Sequence, residues 1–248
     1  MVAWHESDDF WETWGPYIFS AARLQSASTE VERIIELLEM VPGASVLDLC
    51  CGVGRHSLEF ARRGYAVSAV DRTRAYLERA RAQAGSEGLK VEFVESDARS
   101  FSRPGTFDAA ISMLTSFGYF EDPADDLKVM QNLRTALRSG GRLLIDLNSK
   151  EVIARNFRDR EWWRHDDSTL VLQERKIRSG WDWMDSRWIL VGEGGKTWEG
   201  TISTRPYSGV ELKELLRHAG FSAVRLHGNL AGASYDERAE RLIAVATK

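Results

Sequence analysis

From about residue 44 to 148 the sequence alternates short apolar, β-branched runs with longer stretches whose apolar residues recur at helical spacing. That alternation is the signature of βαβ units and a parallel sheet. The strand-like runs are Ser45 to Leu49, Tyr65 to Val70, Lys90 to Glu95, Phe107 to Ser112 and Arg142 to Leu147. Helices are expected to open near Arg55, Thr73 and Pro123, with Gly64 and Gly140-Gly141 as stops. Ahead of the first strand, Thr29 and Glu32 have the spacing of a capping box, and Val31, Ile34, Ile35 and Leu38 trace one apolar face. A helix should therefore start at Thr29 and end before Pro42-Gly43.

Beyond residue 150 the pattern changes. Thr169 to Ile177, Trp183 to Val191 and Lys196 to Thr204 read as a three-stranded antiparallel meander, turned at Ser179-Gly180 and Gly194-Gly195. A helix from Ser208 to His218 follows, stopped by Gly220, and strands at Phe221 to His227 and Arg241 to Ala246 close the chain. The expected organisation is an N-terminal helical arm (1–43), an α/β core (44–150 and 206–248), and an inserted antiparallel cover (151–205).

The chain has 248 residues, 43% hydrophobic and 28% charged, which suits one elaborated globular domain. No run approaches the roughly 18 to 20 apolar residues of a membrane span, and the start lacks a basic region followed by an apolar one. The expectation is a soluble, cytoplasmic protein. Its two cysteines, Cys50 and Cys51, are adjacent, a spacing that fits disulfide geometry badly, so they are read as thiols in a reducing compartment. With no Cys or His partner at ligand spacing, no metal is expected. The net charge of −4 counts against nucleic acid as the main partner.

The chemistry concentrates in Val46-Leu-Asp-Leu-Cys-Cys-Gly-Val-Gly-Arg-His-Ser57: a strand, an acid near its end, a glycine turn, and a helix start. Gly52 and Gly54 let the backbone approach a ligand, and the helix start presents free N–H groups. Gly52-x-Gly54-x-x-Ser57 nearly matches a dinucleotide fingerprint, with Asp71 about where that motif places its ribose acid. Asp48 separates the readings, because a carboxylate there repels a pyrophosphate but suits a cationic ammonium or sulfonium. A further acid, Asp97 in Glu95-Ser-Asp97-Ala98, ends the third strand and is suited to accept from an adenine amino group.

Taken together these residues resemble the class I S-adenosylmethionine-dependent methyltransferases, whose first motif is an acid followed by G-x-G-x-G; Cys50 stands where the family's first glycine does. The resemblance covers about residues 28 to 150 and the closing strands. It implies a Rossmann-like, seven-stranded, mostly parallel sheet with helices on both faces and a C-terminal antiparallel hairpin. It also implies S-adenosylmethionine as cofactor. Asp48, Cys50 and the Gly52-Val53-Gly54 turn would hold the methionine portion, Asp71 with Arg72 the ribose, and Asp97 with Ala98 the adenine. Met113 and Leu114, in Ser112-Met-Leu-Thr115, would sit beside the sulfonium.

All nine tryptophans lie at or before Trp14 or at or after Trp162, so they gather in the arm and the meander, where they suit a cover for a small-molecule acceptor or a homodimer contact. Tyr17 and Tyr119 are the candidates to orient or deprotonate an acceptor. His56 is read as structural or cofactor-adjacent rather than as a base, and Asp146 and Asn148 as capping or solvated groups in preference to holding an ammonium group. Methyl transfer to nitrogen or oxygen of a small molecule is the leading function. The alternatives are an RNA or protein methyltransferase, an NAD-dependent oxidoreductase, and a non-catalytic S-adenosylmethionine-binding module.

Overall fold

The computed structural model describes residues 3–165 and 167–248. After a single helical turn at Trp4–Glu6, the chain forms α1 (Asp8–Ile18) and α2 (Ala21–Leu37). It continues through β1 (Ser45–Leu49), α3 (Arg55–Arg62), β2 (Ala66–Asp71), α4 (Arg74–Ser86), β3 (Val91–Glu95), β4 (Phe107–Ser112), α5 (Pro123–Ala136) and β5 (Leu137–Leu147). A short α6 (Lys150–Arg155) leads to β6 (Arg160–Arg164), β7 (Leu170–Ile177), β8 (Met184–Val191) and β9 (Thr197–Thr204). Then come α7 (Gly209–His218), β10 (Ser222–His227) and β11 (Leu242–Thr247).

The larger sheet has the order β10-β11-β5-β4-β1-β2-β3. It is parallel except for β11, which runs antiparallel to both neighbours. The sequence dictates this burial. Val46, Leu47 and Leu49 are apolar on both strand faces and almost wholly buried, as expected for a parallel strand covered by helices on each side. One cover is α2 and α3, through Val31, Ile34 and Phe60; the other is α5 and α7, through Met130, Leu133, Leu212 and Leu216. Strand order reverses between β1 and β4, so a crevice opens outside their carboxyl ends, where open α/β sheets bind ligands.

The second sheet has four antiparallel strands, β6-β7-β8-β9, not the expected three. β6 (Arg-Glu-Trp-Trp-Arg) lacks a clean apolar-polar alternation and becomes a strand by pairing Trp163 opposite Val171. This sheet supports the arm: Trp14 packs on Val171 and Leu190, and a Cβ on Gly200 would lie 2.8 Å from Trp14 Nε1.

Two expected boundaries are corrected. The helix before β1 starts after Ser20, so Thr29 lies mid-helix and caps nothing; Ala27 continues the buried face of Val31 and Ile34 and carries the helix two turns further upstream. Gly140-Gly141 lies within β5, and α5 stops at Ala136, because Leu137 already pairs with Phe107 across the parallel ladder. Among the described residues no helix is long and apolar enough to cross a membrane.

Candidate active site

A cavity of about 1090 Å³, its open mouth included, lies at the β1/β4 reversal. Its floor is the β1–α3 turn. Cys50, Gly52 and Gly54 there have φ of 61°, 56° and 76°, a left-handed region that costs a non-glycine residue roughly 1–2 kcal/mol. Cys50 is half-buried and takes this conformation where a glycine would be relaxed. The two glycines do different jobs. A Cβ on Gly52 would come 2.8 Å from the Phe19 ring over the cavity, whereas one on Gly54 would meet Ala80 Cβ at 3.0 Å, behind the turn. Accordingly Gly52 lines the cavity, and Val53 and Gly54 do not.

Asp48 sits on β1 at 2% exposure and accepts a 2.5 Å hydrogen bond from Ser57 Oγ. Burial pushes its carboxyl above the ordinary range, against the pull of His56, Ser57 and Arg55. A buried carboxylate with one protein donor has lone pairs directed at whatever fills the cavity. Asp71 ends β2 and clamps the turn: one oxygen accepts from the Gly52 amide at 2.8 Å, the other from the Thr73 amide at 2.8 Å. Burial raises its pKa too, opposed by those same amides.

Asp97, two residues beyond β3, is not free. Arg99 grips it through its backbone amide and its guanidinium, at 2.7 to 3.0 Å, and this holds Asp97 below the usual carboxylate range. Arg99 in turn reaches Glu6 of the arm at 2.8 Å. Arg72, beside Asp71, donates to the His5 carbonyl at 3.1 Å. Asp71, Arg72, Asp97 and Ala98 all line the cavity.

Past β4, Met113 and Leu114 also line it, and Leu114 and Thr115 both adopt positive φ, 58° and 61°. For a β-branched residue that is an outlier. Asp146 holds it in place by accepting from the Leu114 amide at 3.0 Å, with Thr115 N–H on the Asp146 carbonyl at 2.9 Å. Arg241 then bridges Asp146 at 2.7 Å and Thr115 Oγ1 at 3.0 Å. Asp146 is therefore an ion-paired support of this loop, not a solvated cap.

The two tyrosines part company. Tyr119 lines the cavity, and burial pushes its phenol well above the ordinary value, so it remains a protonated donor. Tyr17 points the other way, 3.4 Å from both Asp167 and Thr169 in the connection between β6 and β7, and is not a lining residue. His56 pairs with Glu30 at 2.7 Å. Burial opposes ionisation of Glu30, yet hydrogen bonds from His56 and Arg55 bring it down to about 2.

The roof comes from the arm: Trp11, one of the tryptophans expected to form a cover, together with His5, Ile18 and Phe19, which sequence reasoning passed over. Tyr76 ties the arm down through a 2.5 Å bond to the Trp11 carbonyl. Arm and core are separated by dozens of residues with no shared motif, so only the three-dimensional fold brings them together. The donor set fits an adenosyl cation with an amino-acid tail: three acids at three strand ends, a turn with a glycine facing inward, and apolar walls for the rest. No cluster of three or more His, Cys, Asp or Glu side chains with metal-site geometry occurs among the described residues.

Residues 46–141 match the family model of the methyltransferase domain. The chain is similar to YqeM of Bacillus subtilis (strain 168), which carries a provisional methyltransferase name, with 26% identity over 82% of this chain and 83% of the relative. In fold it resembles an S-adenosylmethionine-dependent methyltransferase from Clostridium acetobutylicum, with TM-score 0.78, 19% identity and 97% and 98% of the two chains covered. It also resembles the sugar N-methyltransferase KedS8 from Streptoalloteichus, with TM-score 0.70, 18% identity and 94% and 90% covered.

Proposed function

We propose that the chain is a class I S-adenosylmethionine-dependent methyltransferase that methylates nitrogen or oxygen of a small molecule admitted beneath the N-terminal arm. The observation that carries this reading is the roof. With His5, Trp11, Ile18 and Phe19 over the strand ends, the reacting position suits a compact acceptor rather than a polymer surface. The likeness to a sugar N-methyltransferase supports nitrogen as the first atom to test.

In this reading Asp48, Cys50 and Gly52 hold the methionine portion, while Val53 and Gly54 shape the turn from behind. Asp71 and Arg72 face the ribose, Asp97 and Ala98 the adenine, and Met113 and Leu114 the sulfur. When bound, the cofactor supplies a methyl carbon activated by the adjacent positive sulfur. The protein's share is alignment and exclusion of water. Ion-paired Asp146 and Arg241 keep the Leu114-Thr115 backbone in its strained form, and the protonated Tyr119 orients an acceptor by hydrogen bonding rather than taking its proton. Residues 151–205 serve as the platform that holds the arm over the cavity.

The test is turnover of S-adenosylmethionine with panels of small amines, amino sugars, hydroxylated compounds, RNA and protein, read as S-adenosylhomocysteine formed. The proposal expects product with a small amine or hydroxyl compound; turnover with RNA or protein alone contradicts it.

A further inference from the structure

One polar side chain of the arm lines the cavity with no hydrogen bond to its ring among the described residues. His5 is 8% exposed and lines the cavity. Aromatic rings wedge its imidazole in place: Tyr119 lies stacked at 6.0 Å, with Phe120 edge-on at 5.3 Å and Trp4 at 5.6 Å. Its main chain is fixed as well, since the carbonyl accepts from Trp11 Nε1 at 3.0 Å and from Arg72 at 3.1 Å. Yet among the described residues neither ring nitrogen makes a hydrogen bond to the protein. The fully enclosed unpaired side-chain atoms lie elsewhere, so the nitrogens of this firmly held ring, which lines a ligand cavity, are open to a partner on the ligand.

The location says which part of the ligand. Glu6 binds Arg99, which grips Asp97, and Arg72 adjoins Asp71; His5 therefore stands at the end of the cavity bounded by Asp71 and Asp97. Burial lowers its pKa, with Glu6 and Asp97 opposing and Arg99 and Arg72 assisting, so the imidazole is neutral. A neutral imidazole offers one donor and one acceptor on diverging sides of its ring, so one nitrogen can meet a single polar group of an adenosine, donating to an acceptor or accepting from a donor.

We propose that His5 is an adenosine-contacting residue, through which the N-terminal arm becomes part of the cofactor site. This rests on the reading that Asp71 and Asp97 flank the adenosine. The test measures affinity for S-adenosylhomocysteine and for 5′-methylthioadenosine, which lacks the amino-acid tail, in wild type, His5→Phe and His5→Gln, together with amide exchange over residues 4–18 of the wild-type protein.

The expected result is at least a tenfold loss for both ligands in His5→Phe, which keeps the packing and removes the hydrogen bond, a smaller loss in His5→Gln, and slowed exchange in the arm when S-adenosylhomocysteine is bound. Affinity within twofold of wild type in His5→Phe overturns the proposal. So does a loss confined to S-adenosylhomocysteine, or arm exchange indifferent to ligand. Asp71→Asn separates the two failures. If it leaves affinity unchanged, the adenosine placement itself is wrong; if it weakens binding while His5→Phe does not, only the role of His5 is.

Discussion

Replacing Asp71 by Asn changes no volume but halves what the carboxylate does. In the wild type each oxygen accepts a 2.8 Å bond from a backbone amide, Gly52 on one side and Thr73 on the other, and the remaining lone pairs face the cavity. An asparagine has one acceptor oxygen, so one of the two amides loses its partner, at about 1–3 kcal/mol. Folding stability should fall by less than that. Burial raises the pKa of Asp71, which means that its charge is itself unfavourable in the folded state, and Asn removes the charge. Ligand affinity has no such compensation. Exchanging charge-assisted bonds for at most one neutral bond removes about 2–3 kcal/mol, a roughly 30- to 150-fold rise in Kd for S-adenosylhomocysteine. Isothermal titration measures it directly, with denaturant unfolding alongside. Affinity within threefold of wild type would refute the ribose assignment.

Three other outcomes follow from packing and charge. Burial lifts Asp126 to about 6, with the Tyr207 hydroxyl at 2.7 Å and Arg205 only partly offsetting it. The folded state then holds more protons than the unfolded one between about pH 4 and 6, so this group lowers stability as pH rises through that window. Asp126→Asn should therefore gain about 2–3 kcal/mol on wild type between pH 4 and pH 7 in paired unfolding curves; a pH-independent difference counts against it. Gly54→Ala places a Cβ 3.0 Å from Ala80 at φ 76° and should cost roughly 2–4 kcal/mol from backbone strain and overpacking. Less than 1 kcal/mol by the same assay contradicts that. Tyr17→Phe, which touches Asp167 and Thr169 rather than the cavity, should leave kcat within about threefold, and a hundredfold drop would return Tyr17 to the reaction.

Local signals carried the core because its rules are local. Two-faced apolar strands, a glycine turn and an acid beside it all sit within a dozen residues, and β1 with its turn appears where the pattern places it. The β4 loop was legible in position but not in mechanism. Asp146 reads as a solvated strand end until Arg241, 95 residues away, is seen beside it at 2.7 Å, and nothing in the spacing of the two announces the pair. Tyr17 and His5 both lie in an aromatic segment whose composition suggests a cover. Which of them faces inward depends on how α1 settles on the second sheet through Trp14 and Gly200. β6 and the true start of α2 were missed because tertiary pairing and burial outweighed weak local cues.

The cavity under the arm should hold an adenosyl cofactor and not a dinucleotide. Thermal unfolding with S-adenosylhomocysteine, S-adenosylmethionine or NAD tests it most directly, since a ligand that binds only the folded state raises the midpoint by mass action. A rise with the two adenosyl compounds and none with NAD is the predicted result; a rise with NAD alone would contradict the account.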